Sequence, residues 1–332
     1  MPSPCGSSPR TTVARRSLRA RDRPLSGSRP RSDQWIPTSR NTGEDASSYT
    51  LRLTETHGFG SVRRFMGEAG LRRGDLSTGT GFARLARIGR CDPRGLWRES
   101  AVGRRSGVQI AGQQLHRYQW SSTVRRFCPS CFRDDVMRNR SDLSRPVMWS
   151  RVWWGVTDIM TCHVHRRLLA STCGCGRPAD WSHGSVGTCP CGGSYRDRTT
   201  ERVTSIVDRY IVGRLGFADP IRSSVLDDLP LSDALRAVGV FADTGTQPSS
   251  NPIARRNTAF EALSGGETEI VRHIAGIAAR RGERPGAMSR FGEVHTFARD
   301  LPASSARTHL LDLMRRNVQM NVAGRSSRSK RA

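Results

Sequence analysis

The sequence has almost no lysine, few aromatic residues and few acidic ones. Lys330 is the only lysine, so nearly all of the 54 basic residues are arginines, and they face only 29 acidic residues. A GC-rich genome raises arginine usage everywhere, but it does not by itself remove acids. The formal net charge of +25 and the pI of about 11.4 therefore favour a polyanionic partner, because cationic side chains release counterions from phosphates. Charge predicts nucleic-acid binding.

The sequence also lacks a long apolar run. No stretch approaches the roughly 18 apolar residues that a membrane span requires. The segment Met1–Ala20 is basic but has no continuous apolar core, unlike a secretory signal. We therefore expect a cytoplasmic protein with no membrane partner. In that compartment the nine cysteines are expected to bind metal rather than to form disulfides.

Hydrophobic residues make up only 36% of the 332 residues and aromatic residues 6%. Such a chain is expected to form two or three domains with small cores, with part of its length in tails or linkers. Residues 1–34 are rich in Ser, Pro and Arg without apolar periodicity, which predicts a disordered basic arm. Order is expected to begin near Trp35.

The fold class predicted from apolar spacing is mainly α. A helix over 45–57 and a second over 61–69 flank Gly58-Phe59-Gly60. This unit, Asp45–Gly70, fits a helix-turn-helix and an ordinary helical hairpin equally well. Residues 71–127 are predicted to form short helices and loops, among them Phe82–Ile88. Towards the C-terminus the pattern predicts helices over Glu201–Leu215, Pro230–Val238, Glu267–Arg280 and Thr308–Val318, a linker over Asp243–Asn257, and a basic tail from Gly324 to Ala332.

The strongest local motif is a pair of cysteines followed by a second short-gapped pair. Cys128-Pro-Ser-Cys131 presents two thiolates to one ion, and Cys162-His-Val-His165 adds a thiolate and an imidazole. Three thiolates and one imidazole complete a tetrahedral Zn²⁺ shell with no open position, so the predicted site is structural rather than catalytic. His163 is the competing imidazole. His165 is preferred because its two-residue gap from Cys162 repeats that of the first pair.

A second set of cysteines follows directly. Cys173-Gly-Cys175 and Cys189-Pro-Cys191 form two thiolate pairs with 13 residues between the inner members, which predicts a ribbon-like, all-thiolate zinc site with small β elements. His183 is a possible substitute ligand. The predicted cofactors are thus two structural Zn²⁺ ions. Cys5 and Cys91 stand apart and have no predicted role.

Catalytic motifs are missing or incomplete. The sequence has no phosphate-binding G-x-x-x-x-G-K-[ST] loop and no G-x-S-x-G nucleophile motif. A zinc deaminase requires a Glu that the His163-Val-His165 fragment lacks. The acidic pairs Asp134-Asp135 and Asp227-Asp228 are of a kind that nucleases use, but each lies at a knuckle or a helix start, where solvated caps are commoner. No catalytic residue is predicted, and the chain is expected not to be an enzyme.

These motifs resemble the TniQ family. The resemblance rests on Phe127-Cys-Pro-Ser-Cys131, on Trp149 and Trp153, on Cys162-His-Val-His165 with the following leucines, and on Cys173-Gly-Cys175. The segment Gly43-Glu-Asp-Ala-Ser-Ser-Tyr-Thr-Leu-Arg-Leu53 resembles the start of the family, G-E-S-x-x-S-x-x-x-R-L, with Asp45 in place of the first Ser. The similarity covers roughly 35–195. Trp149, Trp153 and Trp154 are expected to pack as core residues near the first zinc site.

The resemblance implies an accessory role in transposition of the Tn-seven-like and mercury-resistance-transposon kind. Such proteins mark or bind target DNA and recruit an AAA+ ATPase, which brings the integrase-type transposase. The expected partners are double-stranded DNA and those two proteins, with a homodimer as a further possibility. The alternative is a zinc-containing helix-turn-helix transcription regulator. The predicted organisation is an arm at 1–34, an N-terminal helical domain at 35–127, a double zinc module at 128–195, a C-terminal helical region at 196–323 and a tail at 324–332.

Overall fold

The computed structural model describes residues 35–141, 145–244, 250–281 and 286–329, and these are mainly helical, as predicted. The predicted arm at 1–34, with Cys5, lies outside the described residues. The helices of the described part of the chain are α1 (Ala46–Thr56), α2 (Val62–Glu68), α3 (Arg73–Thr78), α4 (Phe82–Gly89), α5 (Pro93–Glu99), α6 (Pro129–Arg138), α7 (Ile206–Arg214), α8 (Leu231–Thr244), α9 (Pro252–Ser264), α10 (Glu267–Arg281), α11 (Ala287–Phe291), α12 (Glu293–Asp300) and α13 (Ser305–Ser329).

Two small antiparallel sheets accompany the helices. The first has the order β1 (Val102–Arg104), β2 (Gly107–Ile110) and β3 (Gln113–Leu115), and the second pairs β4 (Thr161–Cys162) with β5 (Arg167–Leu168). The hairpin between β2 and β3 turns on Ala111 and Gly112, whose φ angles of 49° and 79° are both positive, as a two-residue hairpin turn requires. The three-stranded sheet was not predicted, because residues 71–127 were expected to contain only helices and loops.

The N-terminal helices form a core of their own. Asp45 caps α1 by accepting a hydrogen bond from the Ser48 N–H at 2.8 Å, and Ser61 caps α2 by accepting from Arg64. The predicted helices at 45–57, 61–69 and 82–88 are confirmed to within two residues at each end. Their apolar faces meet in one buried cluster of Trp35, Ala46, Tyr49, Leu53, Phe65, Met66, Ala69, Leu71, Phe82, Leu85, Ala86, Ile88, Leu96 and Val102.

A second, larger core joins the cysteine-rich segment to the C-terminal helices. It runs without a break from Phe127 and Trp154 to Phe241, Phe260 and Met314. The predicted boundary at 195/196 therefore crosses a shared apolar core, and the residue bounds of the domains stay predictions. One buried carboxylate also ties the two parts together: Asp208 of α7 accepts hydrogen bonds from the Thr161 N–H at 2.6 Å and the Thr161 hydroxyl at 2.7 Å.

The C-terminal region departs from the sequence pattern in several places: α8 continues six residues past the predicted end at Val238, and α11 and α12 lie where no individual helix was predicted. Helix α9 begins inside the predicted linker at 243–257 and continues past it to Ser264, since Asn251 caps it by accepting from the Ile253 N–H at 2.9 Å and Pro252 occupies its first turn. Helix α7 begins at Ile206, five residues later than predicted, because Ser205 is its cap. Helix α13 is longer than the predicted Thr308–Val318 and extends through Gly324 into the segment predicted as a basic tail. Among the described helices, none combines the length and the apolar character needed to cross a bilayer.

Candidate metal centres

The structure brings Cys128, Cys131, Cys162 and His165 together. Cys128 is the N-cap of α6 and Cys131 lies in its first turn, while Cys162 ends β4 and His165 lies in the turn that leads to β5. One ligand atom from each of the four residues falls within 4.8 Å of the others. A helix start and a tight hairpin, 30 residues apart in the chain, thus converge on one point.

The distances between the donor atoms match the spacing around a tetrahedral ion. Bond lengths of about 2.3 Å to sulfur and about 2.0 Å to nitrogen imply edges of about 3.8 Å between sulfurs and about 3.5 Å between sulfur and nitrogen. The sulfurs of Cys131 and Cys162 are 3.5 Å apart. The Nδ1 atom of His165 lies 3.7, 3.4 and 3.6 Å from the sulfurs of Cys128, Cys131 and Cys162, respectively. The four donors therefore fit Zn²⁺ without rearrangement.

Thiol acidity in this cluster also fits a cation. Side-chain hydrogen bonds with Cys131 and Cys162 lower the pKa of Cys128, and the contacts of Cys131 with Cys128 and Cys162 raise the pKa of Cys131. Three buried sulfurs can ionise together only if a positive charge lies between them, which is what a divalent metal supplies.

The imidazole of His165 is held by a carboxylate on its far side. Its Nε2 atom lies 2.9 Å from Oδ2 of Asp134, which leaves Nδ1 directed at the three sulfurs. Metal-bound histidines commonly donate their second N–H in this way, which fixes the tautomer and the ring orientation. Asp134 was not predicted to act here. The one sequence signal is that it follows Cys131 by three residues on the same helix.

The acidic pairs considered for a nuclease have structural partners. Asp135 is buried and accepts two hydrogen bonds of 2.7 Å from the guanidinium of Arg151. Asp227 accepts from the Tyr210 hydroxyl at 3.2 Å, and Asp228 accepts from the Ser305 hydroxyl at 2.6 Å. Together with the bond from Asp134 to His165, these contacts show that the carboxylates brace neighbouring elements.

The second cysteine set also comes together. The sulfurs of Cys173 and Cys191 are 3.8 Å apart, as are those of Cys175 and Cys189, and all four lie within 4.8 Å of one another. These separations equal the tetrahedral edge of about 3.8 Å for four thiolates. The Gly193 N–H donates to the Cys191 sulfur at 3.4 Å. Cys175 and Cys191 are exposed, whereas the three cysteines of the first cluster are buried, so solvent reaches the second cluster more easily.

The competing histidines lie elsewhere. His163 packs against the ring of Trp153, with centroids 5.6 Å apart, and burial lowers its pKa to about 4. His183 forms an isolated β-bridge with Ser61, at the start of α2, and does not belong to either cluster. Cys91 is half-buried beside Tyr49 in the N-terminal core, where burial raises the pKa of its thiol. The eight predicted ligands alone therefore form the two donor sets found in the described residues.

The tryptophans act mainly as packing residues, as expected. Trp154 is buried against Phe132 of α6, with ring centroids 5.8 Å apart. Trp153 packs on Phe217 at 4.9 Å, and the guanidinium of Arg151 lies over the ring of Trp149 at 3.9 Å. The segment between Cys131 and Cys162 thus packs on α6, which carries Cys131, and on Phe217 of the C-terminal region.

The Gly-Glu-x-x-x-Ser motif near the N-terminus joins the N-terminal helices to the tryptophan segment. The Gly43 carbonyl accepts from the Val152 N–H at 2.8 Å, and the Ser48 hydroxyl accepts from the Ser150 N–H at 2.9 Å. At Gly43, φ is 73° and a Cβ atom would overlap the ring of Trp153, so only glycine fits. The motif therefore positions the N-terminal helices against the segment that contains Trp149, Trp153 and Trp154.

A buried ion pair lies at the centre of that junction. Glu44 is fully buried and accepts from the Arg52 guanidinium at 2.6 Å, and Arg52 also donates to the carbonyls of Ser39 and Pro146. Burial raises the pKa of Glu44 in spite of this partner. The family-like residues Glu44, Ser48 and Arg52 therefore act as a structural latch rather than as a surface for ligands.

Helices α1 and α2 are joined across Gly58 and Gly60, which fits the predicted helix-turn-helix and an ordinary helical hairpin equally well. The N-terminal end of α2 is attached to the second cysteine region, since the Val62 N–H donates to the Ser182 carbonyl at 3.3 Å. Arg63 and Arg64 of α2 are exposed. The interpretation of α1 and α2 as a DNA-binding helix-turn-helix stays a prediction.

A comparison with protein-family models matches residues 19–169 to the family described as TniQ. The matched range contains the Glu44–Arg52 latch and the whole first donor cluster, and it ends before Cys173. The resemblance predicted from the sequence motifs is confirmed over that range. A search of curated proteins finds no match to this chain.

Proposed function

We propose, from the premise that residues 19–169 of this chain belong to the TniQ family, that the protein is a non-enzymatic, DNA-binding adaptor of transposition. The family supports an accessory role in transposition. The finer proposal is that the chain selects or marks target DNA and recruits an AAA+ ATPase, which brings the integrase-type transposase. The observation that carries it is the family match over the segment whose motif residues form the latch and the first donor cluster.

Electrostatics support the DNA-binding half of this proposal. A net charge of +25 on 332 residues lets the protein replace many counterions along a duplex. The decisive measurement is retention of duplex DNA as a function of salt concentration. We expect affinity to fall steeply and linearly on a log–log plot, with a slope set by the number of phosphates contacted. A purified, folded protein that does not retain duplex DNA at low salt would overturn this half.

The adaptor half requires a protein partner. We expect the chain to co-purify with an AAA+ ATPase of transposition, and with the integrase-type transposase only when that ATPase is present. Gly43→Ala strains the junction between the N-terminal helices and the tryptophan segment. It therefore tests whether the arrangement of these two parts matters for recruitment of the ATPase. A folded wild-type protein that captures neither partner, with or without DNA, would contradict this half.

The two donor clusters are proposed to hold structural Zn²⁺ ions, with Cys128, Cys131, Cys162 and His165 as ligands of the first. Cys173, Cys175, Cys189 and Cys191 would hold the second. Each set supplies four protein donors, which fills a tetrahedral shell and leaves no position for a reacting water. The metal would therefore stabilise the fold, and we propose no catalytic residue.

A second candidate function is transcription regulation through α1 and α2. It is favoured by the exposed Arg63 and Arg64 on a capped helix that follows a glycine turn. The genes adjacent to this one separate the two candidates, because a transposase and an ATPase support the adaptor. Light scattering of the purified protein tests the proposed homodimer.

A further inference from the structure

A surface pocket lies between helix α5 and the three-stranded sheet, away from both donor clusters. Its volume is about 510 Å³, which is within the range of sites for small molecules and single nucleotides. It is lined by Arg94, Trp97, Arg98, Val102, Arg104, Gln109, Ala111 and Gly112. The hairpin turn is fixed against the helix, since the Ala111 N–H donates to the Arg98 carbonyl at 3.1 Å. The pocket is thus built by ordered backbone on both sides.

An exposed tryptophan forms one wall of this pocket. Trp97 is 43% exposed, although its size and apolar ring favour burial. One edge of its ring lies over Gly79, where φ is 81° and any Cβ atom would overlap the indole. Its other support is Phe82, edge to face at 5.0 Å between centroids. The indole is therefore held in place from behind while part of its surface faces solvent.

The charge around the pocket is strongly positive. Between residues 84 and 105, seven arginines are exposed and Asp92 is the one exposed acid, since Glu99 is 3% exposed and paired with Arg40 and Arg98. Three of these arginines line the pocket. The side chain of Arg98 is 74% exposed even though it pairs with Glu99. The guanidinium of Arg104 is oriented by a 3.1 Å hydrogen bond that it donates to the Gln109 side chain. Cationic donors therefore surround a flat aromatic surface.

We propose that this pocket binds a nucleotide of DNA whose base is unstacked, with the base on Trp97 and its flanking phosphates on Arg94, Arg98 and Arg104. Aromatic rings stack on bases of any sequence, and guanidinium groups pair with phosphate oxygens. In an intact duplex the faces of the bases are covered by their neighbours, so the indole can be used only where a base is flipped, mismatched or single-stranded. This inference rests on the proposed DNA binding and assigns a preference for distorted DNA to it.

An acidic protein segment is the competing occupant, because carboxylates also pair with arginine. It would use the arginines but has no general need for an exposed indole face. The pocket's combination of a supported aromatic ring and three cationic side chains favours a nucleotide.

The test measures the affinity of the full-length, zinc-loaded protein for two labelled duplexes of equal length at one ionic strength. One duplex is fully paired and the other has a central mismatched bubble. We expect wild-type protein to prefer the bubble and its tryptophan fluorescence to fall on binding. Trp97→Leu keeps an apolar side chain but removes stacking, and is expected to weaken bubble binding about 5- to 150-fold. Trp97→Phe is expected to retain most of the preference, which separates stacking from a folding defect.

The arginines are tested by Arg94→Ala, with Arg222→Ala as the matched control, since Arg222 is also exposed but lies between α7 and α8. Arg94→Ala is expected to reduce the salt slope for bubble DNA by about 1, and Arg222→Ala to leave the bubble preference unchanged. If wild-type protein binds paired and bubble DNA equally, or if Trp97→Leu and Arg94→Ala bind the bubble like wild type, the pocket proposal is wrong while DNA binding stands. If no DNA binds, the proposed function itself fails. Binding of poly-glutamate that is lost in the same variants would assign the pocket to an acidic protein instead.

Discussion

Replacing Arg52 by methionine tests the latch between the N-terminal helices and the tryptophan segment. The side chains of Arg52 and Glu44 are 8% and 0% exposed, and their charged atoms are 2.6 Å apart. The change leaves a carboxylate in the interior without its cation and removes the bonds to Ser39 and Pro146. Breaking a buried pair from one side typically costs about 3–5 kcal/mol, so we expect the free energy of unfolding to fall by that amount.

The assay is urea unfolding of zinc-saturated protein, followed by tryptophan fluorescence. Glu44→Gln in the same chain should restore part of the loss, because the amide carries no charge to desolvate. Lowering the pH should reduce the loss of stability in the single variant Arg52→Met but not in the double variant. The reason is that burial already raises the pKa of Glu44, and this carboxylate takes up a proton more readily when Arg52 is absent.

Arg315→Met is the matched control, because Arg315 and Asp312 form an exposed pair at 2.8 Å with side chains 69% and 47% exposed. Surface pairs of this kind contribute at most about 1 kcal/mol. If Arg52→Met costs no more than Arg315→Met, or if Glu44→Gln adds to the loss instead of relieving it, the buried pair does not hold the junction together.

Three further predictions concern the donor clusters and a buried carboxyl. Asp134→Asn should lower the metal affinity of the first cluster about 10- to 100-fold in a chelator competition, with the second cluster of the same molecule as the control. Equal weakening of both clusters would count against a role for Asp134 in holding His165. Cys131→Ser should unfold the cysteine-rich segment, because metal-binding energy on the order of 10 kcal/mol is folding energy there. Cys175→Ser changes an exposed cysteine of the second cluster, and it should lose metal but keep more of the near-ultraviolet circular dichroism. If Cys131→Ser keeps native dichroism and protease resistance, the first site is not structural. Burial raises the pKa of Asp45 to about 7, so its contribution to stability is complete below pH about 4 and is lost as the pH rises to 7. The free energy of unfolding of Asp45→Asn, in which the amide still caps α1, should therefore rise by up to about 4 kcal/mol relative to wild type over that range. Parallel curves of stability against pH for the two proteins would refute this.

The grouping of the eight donor residues into two clusters could be predicted from the sequence because the information is local. Short gaps such as those of Cys128 to Cys131 and Cys162 to His165 fix two donors on one turn, and the chemistry of four donors then requires the pairs to meet. The N-terminal helices were predictable for the same reason, since Asp45 and Ser61 are caps next to apolar periodicity.

Other features depend on contacts between distant residues and could not be predicted. The role of Asp134 requires His165 to lie across the cluster, and the latch requires Arg52 to reach Pro146, 94 residues away. The sheet of β1 to β3 was missed because its strands have only three or four residues and no clear alternation. Helix α9 was missed because Asn251-Pro252 was taken as linker composition, whereas it is also a helix start.

The amount of zinc bound per folded chain tests the central claim most directly. Elemental analysis of the purified protein, together with titration of its reactive thiols, should give two zinc ions per chain. Removal of the metal by a chelator should be accompanied by loss of tertiary structure in the cysteine-rich segment. A chain that is fully folded, with all its cysteine thiols reduced and no metal bound, would contradict the account.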